Sequence, residues 1–459
     1  MRVDGWVWPA GLRPPERYEE TPAGGLVVRH PRTDTVQSRA VVTSLRGVGH
    51  EVSSIPTAEL AESLGRAGEA MVSGLDHDAV RQVAANAGIS TAMAAELVDG
   101  MAASWNVRAL RHLVAAEFPD PRVLDRFVPE SGRAISAAGP TMTLHLGAGT
   151  VPGVTVTSMM RVLLVKSAVL AKPGAGDVIL TVRFARELLR IDPRVGAAVA
   201  VQYWPGGVKG WDRWERDLFR AADQVVIYGS DATIESVRAR APASTRLVEH
   251  RHRVGVAVVE SRGAPGAAAE VARAAALFEQ RGCVSTQLVF LLGAGHGVRG
   301  WCADLAGELA KLEEALPPGW AGPADLSALH QFRGRLQMKS AASAGTGAEV
   351  IDLWYAEGSR WTVVLAPPDA FEPAGGRAVW VVAVPDLNAC LRALVPLAPV
   401  LQTVGLAGID ADRVDLARKL CRLGVTRMVP LSRVPYPEVD WLHDGNRPLG
   451  ELVRWSELR

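Results

Sequence analysis

Between Gly139 and Glu260 the chain alternates two kinds of segment. Runs with few polar residues, TMTLHLGAG, SAVLAKP, AAVAVQYW, QVVIYGS and VGVAVVE, alternate with VTVTSMMRVLLVK, DVILTVRFARELLRID, WDRWERDLFRAA and DATIESVRARA. A continuous apolar run predicts a strand buried on both faces, and apolar residues every three or four positions predict an amphipathic helix. The alternation predicts a parallel sheet with helices on both faces, an α/β architecture whose ligands bind at the carboxyl ends of the strands. After the glycine- and alanine-rich SRGAPGAAAE, the pair VSTQLVFLL and WCADLAGELAKLEEAL opens a second α/β unit that runs to about Pro430.

The flanks read differently. Residues up to about 50 predict short strands and turns, with VVRH and AVVT as the apolar pieces. From Thr57 to Phe118, TAELAESLGRAGEAM and HDAVRQVAANAG carry a helical period. The closing DWLHDGNRPLGELVRW reads as irregular and then short-helical. GHGVRG, Gly295 to Gly300, fits a dinucleotide fingerprint. That fingerprint needs an acidic residue at the end of the next strand, whereas Glu313 and Glu314 fall in the same helix, so it reads as a connecting turn.

Charge narrows the function classes. With 50 basic and 49 acidic residues among 459, no clustered cationic excess points to nucleic acid. The most apolar run, Val151 to Leu170, contains Arg161 and Lys166, so no membrane span is expected. The first residues lack the charged-then-apolar order of a signal peptide, and a cytoplasmic location is the expectation. The four cysteines, Cys283, Cys302, Cys390 and Cys421, form neither a CxxC pair nor a Cys/His ligand set, which fits a reducing compartment. His250 and His252 would share one strand face as two metal ligands do, but no third ligand is evident and no metal is expected.

In FEQRGCVSTQLVFL, Cys283 follows a glycine between a helix and a buried strand. A turn can leave its sulfur partly exposed, and nearby backbone N–H groups with Arg281 would favour the thiolate, the nucleophilic form. The other reading is a small buried hydrophobe, which describes most free cysteines.

GAGTVPGV, VLAKPGAGD, VVIYGSDATIESVR, EQRGCVS and LQTVGLAG…WLHDGNRPLGELVRW follow one another in this order. Together, from about Gly139 to Trp455, they resemble the long-chain acyl-CoA reductase family, the fatty-acid reductase subunits of bacterial luminescence, within the aldehyde dehydrogenase superfamily. The resemblance implies an aldehyde dehydrogenase-like α/β fold: a Rossmann-type cofactor domain plus an α/β catalytic domain. The expected division is an N-terminal mixed and helical region over 1–130 packing on the cofactor domain, the cofactor domain over 131–262, the catalytic domain with Cys283 over 263–430 and a C-terminal segment over 431–459. It implies NADPH as reductant, an acyl-CoA or acyl-carrier thioester as substrate, an acyl-activating ligase as a possible partner, and a homo-oligomer.

By position, Cys283 matches the acyl-accepting cysteine, Lys172 the lysine at the adenosine ribose or its 2′-phosphate, and Gly229 with Ser230 the step facing the pyrophosphate. Thr150 stands where the superfamily keeps an asparagine that stabilises the oxyanion, which leaves room for a catalytically weak, acyl-binding or scaffolding subunit. Glu249 lies roughly where aldehyde-oxidising relatives keep a water-activating glutamate. Its surroundings, VEHRHRVG, do not match that motif, and a reductase needs no such base.

Overall fold

The computed structural model describes residues 1–9, 11–13, 15–261, 264, 266–320, 322–343, 351–409 and 413–459. The chain forms two units, Met1–Arg251 with Glu438–Arg459, and His252–Pro437.

The first unit is built on strands β1 (Trp6–Val7), β2 (Met142–Leu146), β3 (Ala168–Lys172), β4 (Val199–Gln202), β5 (Gln224–Tyr228) and β6 (Arg246–His250), in the sheet order β6-β5-β2-β3-β4-β1. All neighbours are parallel except β1, which runs antiparallel along β4. The helices of this unit are α1 (Thr35–Val52), α2 (Thr57–Ser73), α3 (His77–Ala87), α4 (Thr91–Ala102), α5 (Val107–Glu117), α6 (Val154–Leu164), α7 (Val178–Ile191), α8 (Asp212–Ala221) and α9 (Asp231–Arg238), with a short turn, Pro193–Gly196, after α7. Val156, Met159, Met160, Leu163 and Leu164 of α6 are buried, as are Val178, Ile179, Val182, Phe184 and Leu188 of α7. Burial of one such side chain stabilises by roughly 1.5–3 kcal/mol, so this packing and not helix propensity holds both helices against the sheet.

AVVT is a correction. It lies inside α1, where Val41 is buried on the same face as Ser38, Leu45, Gly49 and Val52. The cause is a capping box: Gln37 N–H donates to the Asp34 carboxylate and Asp34 N–H to the Gln37 side chain, both at 2.9 Å. That box starts a helix that the β-branched residues then continue. A second correction concerns ELVRW. Only Gly450–Leu452 forms a 3₁₀ turn, and Arg454–Leu458 is a strand, antiparallel to Arg133–Ala138.

The second unit contains β7 (Val254–Glu260), β8 (Thr286–Leu292), β9 (Asp352–Trp354), β10 (Thr362–Leu365), β11 (Ala378–Val384), β12 (Leu401–Ala407) and β13 (Arg427–Pro430), in the order β9-β10-β11-β8-β7-β12-β13. Only β9 is antiparallel to its neighbour. One face buries Val256, Leu288, Phe290 and Trp380, and the other buries Ala257, Val289, Val363 and Val381 against Ala267–Ala276 and Val298–Ala315. VGVAVVE, which the alternation groups with the first sheet, is the β7 strand between β8 and β12. A run buried on both faces fixes no particular partner, so sequence order misassigned it. Among the described residues no helix is long and apolar enough to cross a membrane.

Candidate active site

In the first unit, β2 and β3 each run into a glycine loop, Gly147–Thr150 and Pro173–Gly176. The loops touch through bare backbone: a Cβ on Gly174 would lie 2.1 Å from the Gly149 nitrogen, and one on Gly176 2.2 Å from the Gly149 carbonyl oxygen. Any side chain at either position would push the loops apart. Thr150 is exposed at the end of the first loop.

Two buried polar groups pin this region. The Asp177 carboxylate accepts from Gly153 N–H at 2.7 Å and Thr155 N–H at 3.0 Å, which satisfies the start of α6. The Asn86 amide donates to the Ala175 carbonyl at 2.6 Å and its oxygen accepts from Val178 N–H at 2.9 Å, which caps α7. Sequence reading missed both residues, because each acts on backbone far from it along the chain or across a loop. The first turns of α6 and α7 are therefore already occupied by side chains of the protein itself. The first turn of α9 differs: exposed Ser230 caps it, with Thr233 N–H 3.4 Å from its hydroxyl. Arg251 neutralises Asp231 at the first helical position, at 2.8 Å.

Burial raises the Asp177 pKa from 3.8 to about 6, with the Gly153 and Thr155 hydrogen bonds acting the other way. A folded-state pKa above the unfolded value means that the folded state holds its proton longer, so stability falls as pH rises from about 4 to about 6. Thermal melting of wild type beside Asp177→Asn will show wild type losing ground to the variant across that window, by at most about 3 kcal/mol.

Lys172 closes β3 with its ammonium 5.5 Å from the Trp204 ring centre and 5.9 Å from that of Tyr203. Burial lowers its pKa, opposed by the Glu215 charge. Glu215 is itself held by Trp204 Nε1–H at 2.9 Å and by an ion pair with Arg240. A cation against aromatic faces is a preformed charge site.

At the ends of β5 and β6, rings stack in a column. The Tyr228 and His250 centres are 4.3 Å apart, His250 and His443 4.3 Å, and His443 and Trp441 4.5 Å. His250 Nδ1 lies 3.2 Å from Asp444 and its Nε2 3.6 Å from Glu451. Gly229 N–H donates to the His250 carbonyl at 3.1 Å. His145, fully buried beneath Tyr228, is held neutral by burial, its pKa pushed down to about 3. His250, His443 and Asp444 form a cluster of possible metal ligands whose donor atoms lie within 4.8 Å. The imidazole planes are nearly parallel, at 12°, so their in-plane lone pairs cannot converge on one ion. Strand β6 ends at His250, so the His250 and His252 spacing does not place two rings on one strand face. Glu249 is paired with Arg238 at 2.5 Å and Arg251 at 3.3 Å.

In the second unit, Cys283 is half-buried in a turn before β8, closed by Ser285 N–H to the Gly282 carbonyl at 3.1 Å. The approach is unusual: Phe278, Glu279 and Gln280 are all left-handed, with φ of 59°, 54° and 58°. Non-glycine residues there cost roughly 1–2 kcal/mol each and persist only when the surroundings over-determine them. Glu279 is locked by buried Arg377, at 2.9 and 3.2 Å. The Gln280 amide donates to the Thr286 and Ala378 carbonyls at 2.9 and 2.7 Å and accepts from Ala378 N–H at 3.1 Å. Cys302 and Cys390 are buried, and burial pushes both thiols up to about 12, which suits neither for nucleophilic work.

The fold defines the class. The chain superposes on aldehyde dehydrogenase 21 from Physcomitrella patens with a TM-score of 0.78 at 12% identity, covering 100% of this chain and 98% of that one. It superposes on a NAD-dependent benzaldehyde dehydrogenase from Corynebacterium glutamicum with a TM-score of 0.72 at 16% identity, covering 98% of each chain. The architecture is thus that of the aldehyde dehydrogenases, as the sequence resemblance implies. Within that class the chain belongs to the acyl-CoA reductase (LuxC) family, whose model matches residues 54–455. It is similar to long-chain acyl-protein thioester reductase 2 of Photobacterium leiognathi, 23% identical over 358 residues, 76% of this chain and 70% of that protein. It is also similar to the long-chain acyl-protein thioester reductase of Aliivibrio fischeri, 24% identical over 354 residues with the same coverage.

Proposed function

We propose that this protein reduces a long-chain acyl thioester to the aldehyde with NADPH, through an acyl-enzyme on Cys283. The observation that carries the reading is the half-buried Cys283 held at the end of a rigid left-handed turn. Strain of this kind clusters at reactive positions.

The cofactor reading rests on two features of the first unit. The α9 start, with Gly229 and Ser230, offers backbone N–H groups to a pyrophosphate. Lys172, seated among aromatic rings, supplies a cation for the ribose end or its 2′-phosphate. A nicotinamide dinucleotide bound there supplies the hydride chemistry.

The chain's own residues do the rest. The Cys283 thiolate attacks the acyl carbonyl, the C–S bond to the donor breaks, and the donor departs as a thiolate, leaving the acyl group on Cys283 as a thioester. The Cys283 N–H is the backbone donor available to the oxyanion. Splitting one hard transfer into two easier ones is what the covalent stage contributes. The reading leaves Glu249, committed to two arginines, outside the chemistry.

The names of the curated relatives favour an acyl group presented on a protein over free acyl-CoA. The test mixes wild-type protein with long-chain acyl-CoA or acyl-loaded protein, without NADPH, and follows intact mass. An added acyl group that disappears when NADPH is supplied, with aldehyde released, is the expected result. No adduct from either donor rejects the covalent route, and the donor that acylates faster identifies the substrate class.

A further inference from the structure

We infer that the C-terminal turn His443–Asn446 belongs to the cofactor site, with Asp444 and His250 as positioning residues that set the Gly229–Ser230 step. The inference rests on the cofactor reading above and extends it to residues far along the chain.

His250 grips that step twice. Its carbonyl accepts the Gly229 N–H, and its ring stacks on Tyr228, the residue before Gly229. His250 is in turn held from the C-terminal segment by the Asp444 carboxylate on Nδ1, Glu451 near Nε2 and the face of His443. The segment has its own means of aiming Asp444. Asp444 and Gly445 both have positive φ, 52° and 81°, and Asn446 N–H donates to the His443 carbonyl at 3.0 Å. That is a tight turn of the kind an Asp-Gly pair favours. Residues 194 positions apart thus meet at the end of β6.

Stability alone does not explain the arrangement. The Asp444 and His250 side chains are only 5% and 4% exposed, and a buried polar pair is commonly no more stabilising than apolar packing of similar volume. What the pair adds is direction: it fixes the ring, and with it the backbone carbonyl, that orients Gly229. A shift of about 1 Å at such a step is enough to cost a large factor in binding or rate.

The test titrates NADPH into full-length wild type, Asp444→Asn and Trp441→Ala by energy transfer from protein tryptophan. In parallel, Cys283 acylation without NADPH is timed by intact mass. Asp444→Asn is expected to weaken NADPH binding roughly tenfold or more and to raise its KM, while acylation, which uses no cofactor, keeps its rate. Trp441→Ala, which removes only the outer ring, is expected to weaken binding less and decides the matter should Asp444→Asn fail to fold. Unchanged NADPH affinity in the folded variants overturns the inference, as does acylation falling in step with affinity. Wild type that binds no NADPH overturns the cofactor reading itself, and the inference with it.

Discussion

Cys283→Ala is expected to remove aldehyde formation to background, a loss of more than about 10³-fold, while NADPH binding and the melting temperature stay near wild type. The substitution deletes the only atom proposed to bond to the acyl carbon, so it acts on the covalent step. Thioester-dependent NADPH oxidation, read beside intact mass, checks it. The variant should show neither turnover nor an acyl adduct. A variant that stays unacylated yet keeps a tenth of wild-type turnover would mean direct hydride transfer to the bound thioester. Alanine at Cys302 or Cys390 is the useful contrast, because those thiols are buried and act as packing. Loss there should appear in melting temperature and not in acylation.

Arg377→Met is the second large effect, and it acts on the fold. Arg377 is 1% exposed and holds Glu279, itself 9% exposed, across 98 positions of sequence. Removing one partner leaves a buried carboxylate without its counter-charge, which costs about 3–5 kcal/mol. For a unit of this size that corresponds to a fall in melting temperature on the order of 10 °C. Glu279 is also the middle residue of the left-handed turn, so the turn relaxes and acylation slows with it. Adding Glu279→Met to Arg377→Met should recover stability, since the unpaired charge is gone, without restoring acylation. Differential scanning calorimetry and the acylation assay together separate the two effects. Stability and acylation both returning in the double variant would show that the pair serves the core alone.

The legible part of this protein was local. Periodicity revealed the alternating strands and helices, because burial on two faces or on one stripe leaves its mark within a dozen residues. Lys172 at the end of a strand, Gly229 and Ser230 at a strand-to-helix step, and Cys283 in a turn before a buried strand were all visible as types of residue in types of place. The ordered motifs carried the family, and the solved aldehyde dehydrogenases agree with the fold it implies.

What failed had two causes, a local cap that was overlooked and strand partners that lie far along the chain. AVVT read as a strand because β-branched residues favour one, until the Asp34–Gln37 capping box and the buried face of α1 decided otherwise. VGVAVVE was a strand as expected, but its neighbours were β8 and β12, which no local pattern could name.

By itself, then, the sequence determined most of the strands and helices between Gly139 and Pro430, because those depend on neighbours a few positions away. The tertiary structure alone decided how Phe278, Glu279 and Gln280 came to be left-handed and how His250 came to be held by Asp444. None of those three residues favours that conformation. It exists because Arg377, an amide network and a packed sheet outweigh the local preference, and those partners arrive from elsewhere in the chain.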